Sequence, residues 1–527
     1  MNFYEQLFQK KPKEKIPVEK EIDANLETIK EELSFCDDVV YREFKIGQKQ
    51  EMKAALIYTE GLANKTMLDE SILEDLMYFT RMANMDPNVL KKKIHEAILD
   101  GSISVANVRE SDDLDEAIDA VLIGDSVLLF DQWDKILIFD AKGWPMRSVG
   151  EPEMEMVIRG PGDGFNETLR VNTALVRRRI RDPKFKIKQM QIGKRSKTDI
   201  AVLYIEGITN KEILKMVKER LDQIQIDAVL GSSYIEQLIE DEWRSPFPQI
   251  QNTQRPDVVA AALYEGRVAI IIDNTPYALI APATVATFIQ SPEDHYERFF
   301  IASAIRILRV LALLTNLYLP SLYIAITSFH PGILPTDLLL YIAGSRLNVP
   351  FPVVIEAFLM EASLELLREA GVRLPGPIGA TIGIVGGLVL GQAAVEAGIV
   401  SPLMVIVVAL TAMAAYSSPS YSFAISFRML RFVLMAASAF LGLYGIILAT
   451  LIILTHLCNL KSFGVPYLSP LVASEMKWQD FKDFFIRVPL HMMRRRPQFL
   501  RPEDSIRMGK NRPNNAVKGD DTGGKKQ

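Results

Sequence analysis

The chain has 527 residues, 49% hydrophobic and 24% charged, with a formal charge of -5 and two cysteines, Cys36 and Cys458. Two distant cysteines exclude a disulfide framework and a cysteine-based zinc cluster, and the length allows three or four domain-sized pieces. The N-terminus, MNFYEQLFQKKPKEK, has no apolar core of the secretory type, so the polar N-terminal half is expected to be cytoplasmic.

Residues 1–36 are charged and read as a flexible leader with short helical pieces. An α/β subdomain is expected over 37–150 and a second over 185–297, because the chain repeats itself. Ala55-Leu-Ile-Tyr-Thr-Glu-Gly-Leu-Ala-Asn-Lys65 matches Ala201-Val-Leu-Tyr-Ile-Glu-Gly-Ile-Thr-Asn-Lys211 at six of eleven positions. Each run is apolar and bounded by Glu-Gly, which suits a buried strand. An amphipathic helix follows each: Leu68, Ile72, Leu76 and Phe79 in the first, Leu214, Val217, Leu221 and Ile224 in the second. Thr209 and Glu212 are spaced as a capping box. Leu122-Ile-Gly-Asp-Ser-Val127 and Leu263-Tyr-Glu-Gly-Arg-Val268 each run into a further strand, so both halves are read as copies of one unit.

The connecting segment 151–184 contains Arg159-Gly-Pro-Gly-Asp-Gly-Phe165 and then Arg170, Arg177, Arg178, Arg179 and Arg181. It lacks the Gly-Lys-Ser/Thr ending of a P-loop. It reads as a turn followed by a basic helix face that docks on another domain or chain.

From Phe299 to His456 only 13 of 158 residues are Asp, Glu, Lys or Arg. Residues 298–460 are therefore assigned to a membrane domain of four or five helices. The spans are Ala312–Phe329, Ile378–Val395, Leu403–Tyr416 and Phe432–Leu457, since about 20 helical residues cross a bilayer. Arg306 and Arg309 mark a basic, cytoplasmic entry to the first span. Gly332–Ala343 is too short to cross. In Pro350–Gly371, Glu361, Glu365 and Glu369 share one face, and Ile355, Phe358, Leu359, Ala362 and Leu366 form the other, as for a helix lying in the interface or re-entering beside an aqueous path. In the next span Gly379, Gly383, Gly387 and Gly391 recur every fourth residue, a stripe that permits close helix packing and can also line a narrow pore. Gln392 and Glu396 follow one turn apart. Glu396 reads either as part of an ion pathway or as a boundary carboxylate at the Gly398 turn. From Lys477 onward 13 basic and 6 acidic residues give +7, leaving about -12 for the rest. Residues 461–527 are expected to be a basic cytoplasmic tail that is solvated or drawn to anionic lipid, and disordered at the end.

Signals of catalysis are poor. His95, His295, His330, His456 and His491 fall singly, with no HExxH, GxSxG, kinase or Walker set. No enzyme activity, cofactor, metal or nucleic-acid partner is expected.

From about Tyr41 to Asn511 the chain resembles the A-subunit family of GerA-type spore germinant receptors. The resemblance rests on Arg159-Gly-Pro, Gly193-Lys-Arg-Ser-Lys-Thr198, Tyr234-Ile-Glu-Gln, Ser245-Pro-Phe-Pro248, Arg255-Pro-Asp257 and Pro320-Ser-Leu-Tyr323. It is densest in Glu356-Ala-Phe-Leu-Met-Glu-Ala362, Arg368-Glu-Ala-Gly371 and Gly391-Gln-Ala-Ala-Val-Glu-Ala-Gly-Ile-Val400. Gly162 and Gln254 depart from the pattern, standing where Arg and Glu are usual. The resemblance implies a spore inner-membrane protein of nutrient-triggered germination that works with a transporter-like B subunit and a lipoprotein C subunit. It further implies a homo-oligomeric ring around a channel for monovalent cations. A non-conducting scaffold and a germination-amplifying paralogue are the alternatives. The fold class that follows is a duplicated α/β soluble N-terminal domain plus an α-helical integral membrane domain, with both termini cytoplasmic.

Overall fold

The structure, a computed structural model, describes residues 15–46, 52–74, 77, 108–143, 152, 155–373, 387, 391–472 and 480–509. It divides into two compact units. One comprises Met1–Glu240, Asn252–Pro282 and Val488–Gln527; the other comprises Asp241–Gln251 and Ala283–Arg487.

The first unit contains two five-stranded sheets with one strand order. Strands β1 (Val39–Ile46), β2 (Met52–Thr59), β3 (Val108–Ser111), β4 (Ser126–Phe130) and β5 (Ile136–Phe139) lie in the order β1-β2-β4-β5-β3. Strands β6 (Phe185–Ile192), β7 (Thr198–Ile205), β8 (Gln251–Thr253), β9 (Val268–Ile272) and β10 (Ala278–Ala281) lie in the order β6-β7-β9-β10-β8. The two repeated apolar runs fall on β2 and β7, next to the outermost strand of each sheet.

These runs are apolar throughout because both faces of β2 are covered. Ala54, Leu56 and Tyr58 join one core with Leu128, Phe130, Leu137 and Phe139. Ala55 and Ile57 join the other, against helix α1 (Ile22–Glu32) and helix α2 (Leu114–Ile123). Helix α1 corrects the reading of residues 1–36 as a flexible leader. Ile22, Leu26, Ile29 and Leu33 do recur at helical spacing and are buried, so 15–36 belongs to the first core. Helix α2 stops at Gly124 with φ 103°. In the second sheet helix α3 (Leu169–Arg177) and helix α6 (Pro256–Glu265) pack on one face, and α6 stops at Gly266 with φ 98°. Both stops need the left-handed conformation that glycine adopts without strain. Helix α4 (Lys211–Asp222) buries Ile213, Val217 and Leu221. It is followed by α5 (Ser232–Ile239). The cap of α4 is Asn210, whose side chain accepts from Glu212 N at 2.8 Å; the capping box expected from Thr209 is not formed, because Thr209 Oγ1 accepts from Ile205 N instead. After β2 the chain forms a π-helical stretch, Met67–Glu74, with Leu68 and Leu73 buried. The expected Leu76 and Phe79 lie outside the described residues.

The arginine-rich connection is bound within the protein. Arg255, fully buried, donates to Pro161 O at 2.8 Å and to Glu155 O at 3.1 Å, and pairs with Asp257. Both oxygens of Asp163 accept from Arg179 Nη2 at 2.6 Å. The glycines thus make a turn stitched by arginine. Residues 488–509 also belong to this unit. Arg496 Nε donates to Tyr264 O at 2.7 Å, Glu503 N to Ile208 O at 3.1 Å, and Asn210 Nδ2 to Arg501 O at 3.3 Å. This part of the tail is therefore docked on the protein, contrary to the expectation of a solvated or lipid-bound segment.

The second unit is helical: α7 (Val285–Ile289), α8 (Phe299–Ser328), α9 (Thr336–Ser345), α10 (Val353–Arg373), α11 (Pro402–Ala415), α12 (Tyr421–Leu441) and α13 (Leu443–Asn459). Helix α8 packs against α11 and α12, and α12 against α13. Helices α8 and α12, of 30 and 21 residues, are long and apolar enough to cross a bilayer; α11 and α13, of 14 and 17, are apolar but shorter. At 1.5 Å per residue α8 runs about 45 Å.

The expected continuous span Phe432–Leu457 is broken. Gly442, at φ 59° and ψ -134°, separates α12 from α13 and turns them into a packed hairpin. Hydropathy alone hides such a break, because glycine does not interrupt an apolar run. Residues 241–251 and 461–472 join this unit too. Phe247 sits 6.2, 6.1 and 6.3 Å from the rings of Phe423, Phe427 and Tyr467, and Ser462 Oγ donates to Gln249 O at 2.7 Å.

Candidate functional site

The helical unit has its polarity turned inside out. Ile355, Leu359 and Leu366 of α10 are exposed, the last at 73%, as are Phe440, Tyr444 and Ile452 on α12 and α13. Arg306, Glu356, Glu361 and Arg431 are fully buried. In water this arrangement discards the hydrophobic gain and burdens the interior with ions. An apolar surround reverses both terms.

The buried charges form two groups. At the start of α8, Arg306 Nε lies 3.2 Å from Asp294 Oδ2 and its Nη1 3.0 Å from Asp483 Oδ1; Arg309 Nη1 lies 3.0 Å from Asp294 Oδ2 and 2.7 Å from Ile289 O. Arg306 and Arg309, expected to mark a basic entry to the first span, are both engaged in internal ion pairs, and Ser303 and Arg487 tie the same region to the 480–487 segment.

The second group lies between α8, α10, α11 and α12. Glu356 Oε1 accepts from Ser401 N at 2.6 Å and Ser401 Oγ at 2.5 Å, joining the first turn of α10 to the cap of α11. Arg346 lies 3.6 Å from the other oxygen of Glu356. Five residues further along α10, Glu361 Oε2 lies 2.9 Å from Arg431 Nη2, and Arg431 Nη1 donates to Asn316 Oδ1 at 3.2 Å. Next, Glu365 accepts from Arg368 and from Arg428, each at 2.9 Å. Glu369 is exposed. The acidic face of α10, expected either in the interface or beside an aqueous path, descends from the surface at Glu369, through half-open Glu365, to fully buried Glu361, because Arg428 and Arg431 supply the counter-charges from one face of α12.

The glycine stripe is only partly in view. Gly379 and Gly383 lie outside the described residues; Gly387 is helical and exposed, and a Cβ on it meets nothing within 4 Å among them. Gly391 is buried, and a Cβ there would stand 3.4 Å from Val405 Cγ1 of α11. Gln392 Nε2 donates to Glu396 Oε1 at 2.8 Å, and both side chains are exposed. The structure thus keeps the Gln392–Glu396 pair apart from the buried Glu361 group. Sequence reasoning missed Asn316, Arg428 and Arg431. Two arginines three residues apart in an apolar helix were the available signal, since such charges need partners. Among the described residues no cluster of His, Cys, Asp and Glu could hold a metal ion.

Residues 27–499 match the family model described as Bacillus/Clostridium GerA spore germination protein. Spore germination protein KA of Bacillus subtilis (strain 168) is 44% identical over 486 residues, covering 92% of this chain and 88% of that protein. The uncharacterized membrane protein YfkQ of the same organism is 43% identical over 482 residues, covering 91% of each. The crystal structure of the N-terminal domain of the A subunit of the Bacillus megaterium spore germinant receptor GerK3 is 35% identical, with a TM-score of 0.40, covering 51% of this chain and 97% of that one. With nine-tenths of its length matched in this way, the chain belongs to the GerA family of spore germination proteins.

Proposed function

We propose that this chain is the A-type subunit of a spore germinant receptor, seated in the spore inner membrane with both termini on the core side. Its copies assemble into a ring around a nutrient-gated path for monovalent cations, alongside a transporter-like B subunit and a lipoprotein C subunit. The observation that carries this reading is the exposed Gln392–Glu396 pair, which stands on a bundle whose surface carries many exposed apolar side chains. A carboxylate facing hydrocarbon is costly, and facing the same surface of further copies across water removes that cost. The apolar skin of α8, α10, α12 and α13 supports the membrane seating.

The test is potassium release from spores after nutrient addition, together with efflux from vesicles holding the purified chain. Glu396→Gln and Gly387→Leu are expected to reduce both by roughly tenfold or more at normal protein abundance. Unchanged release with both variants sinks the pore assignment. The close seat of Gly391 on Val405 favours a second reading, a non-conducting scaffold whose glycines serve packing alone. On that reading the wild-type chain leaks no ions from vesicles.

A further inference from the structure

Helix α10 is held in two different ways along its length. Its first half is pinned: Glu356 takes two hydrogen bonds from Ser401, and Val353 and Ala357 are packed with Ile324, Met404, Val408 and Met435. That apolar cluster takes in α10 no further than Leu364. From Glu361 onward ion pairs hold the inward face, with Leu364 its last residue in that cluster, while Leu366 points outward.

The ionic half is incompletely satisfied. Glu361 Oε2 and Arg431 Nη2 are 2.9 Å apart but not aligned as a hydrogen bond. Glu361 Oε1, Asn316 Nδ2, Arg431 Nε, Arg428 Nε and Arg368 Nη2 are buried with no hydrogen-bond partner among the described residues. A half-satisfied buried network is a poor permanent brace, because each orphaned group gains by reaching water. Such a pair holds one arrangement without making the other inaccessible.

We propose that α10 is a hinged helix, pinned at Glu356–Ser401 and latched shut by Glu361–Arg431 and Glu365–Arg428. Release of the latch swings its second half away from α12. The inference rests on the channel reading for its consequence, ion flow, but the latch itself is a statement about two helices.

The experiment separates the two. Glu361→Gln with Arg431→Gln removes the ion pair without leaving a buried charge, and Glu361→Arg with Arg431→Glu restores it reversed. Both are placed in a Cys458→Ser chain carrying Leu364→Cys, a partly buried position in the second half of α10 that packs on the α8–α11–α12 cluster. Potassium efflux from vesicles without nutrient and maleimide labelling of the thiol introduced at position 364 are read together. The neutral pair is expected to raise resting efflux and labelling roughly tenfold, within the range of single coupling contacts, and the reversed pair to bring both back. Unchanged labelling in the neutral pair overturns the latch whatever the efflux does. Raised labelling with no efflux from any chain, wild type included, sustains the latch and removes the channel. Should the inner pair be needed for folding, Glu365→Gln with Arg428→Gln is read identically, and unchanged labelling there overturns the latch.

Discussion

Arg177 grips Asp38 with two parallel hydrogen bonds, Nε to Oδ2 at 2.9 Å and Nη2 to Oδ1 at 2.7 Å, and its third nitrogen donates to Phe185 O at 2.8 Å. Asp38 precedes β1 of the first sheet and Phe185 opens β6 of the second, so one buried guanidinium stitches the two repeats together. Ile187 N adds a bond to Phe35 O at 3.1 Å beside it.

Removing one partner of such a pair strands the other charge in the interior. Arg177→Ala is therefore expected to cost about 3–5 kcal/mol, and Arg177→Lys, which lacks the planar fork, somewhat less. The double change Asp38→Asn with Arg177→Gln should cost less than Arg177→Ala alone. Thermal unfolding of the full chain in detergent measures all three. A melting temperature for Arg177→Ala equal to the wild type contradicts the argument.

The α12–α13 hairpin depends on two glycines for separate reasons. At Gly445 an added Cβ would lie 2.0 Å from Ala437 O, a backbone atom that cannot step aside. At Gly442 it would lie 2.9 Å from Phe329 Cβ, and the backbone there is close to glycine-only territory. Gly445→Ala is expected to abolish the close crossing and lower membrane-extracted yield severalfold. Gly442→Ala should cost about 1–3 kcal/mol. Normal yield and a normal melting curve for Gly445→Ala would show that the helices do not cross there.

Glu236 on α5 gives the first unit a pH response. Burial raises its carboxyl first, and the neighbouring charge of Glu240 adds to this, bringing it to about 7 from an ordinary 4.5. The folded state thus binds the proton more tightly than the unfolded one. The stabilisation is complete below pH 4.5 and is lost as pH rises through about 7. The melting temperature of the full chain is expected to fall across that window, and Glu236→Gln should flatten this part of the profile. An identical slope in both proteins rules Glu236 out.

How much of this was legible in the sequence depended on whether the partner was near in sequence. Both copies of the β2/β7 strand were plain, because burial on two faces leaves an uninterrupted apolar run. Helix α1 was read only as a short helical piece of a flexible leader, since Ile22, Leu26 and Ile29 are diluted among charged residues and find their core only against α2, some ninety residues later. The four-residue period of Glu361, Glu365 and Glu369 located one face but not its direction. That direction is set by Arg428 and Arg431, more than sixty residues away, and by an apolar surround that inverts the usual rule. The break at Gly442 was invisible for another reason: it is a property of φ and ψ, which hydropathy does not report.

The C-terminal segment supplies the last prediction. Arg496 is buried at 8% exposure; besides Tyr264 O it donates to Asp504 Oδ2 at 2.9 Å and Asp504 O at 3.1 Å, and it also reaches Ile506 O. One side chain thus closes the 496–506 loop on itself and fastens it to the end of α6. Arg496→Ala removes charge-assisted bonds worth about 1.5–3 kcal/mol each and leaves Tyr264 O to be solvated. The bond after Arg507 should then become a fast tryptic site while the rest of the chain keeps its resistance; Arg501 precedes a proline and stays uncut. Arg496→Lys keeps a charge but cannot span three carbonyl-side acceptors at once, so its cleavage rate should fall between the two. Cleavage at wild-type rates in Arg496→Ala means that the segment is held by other contacts. Slow cleavage that speeds up only when the melting temperature also drops would mark a general loss of stability instead of a released tail.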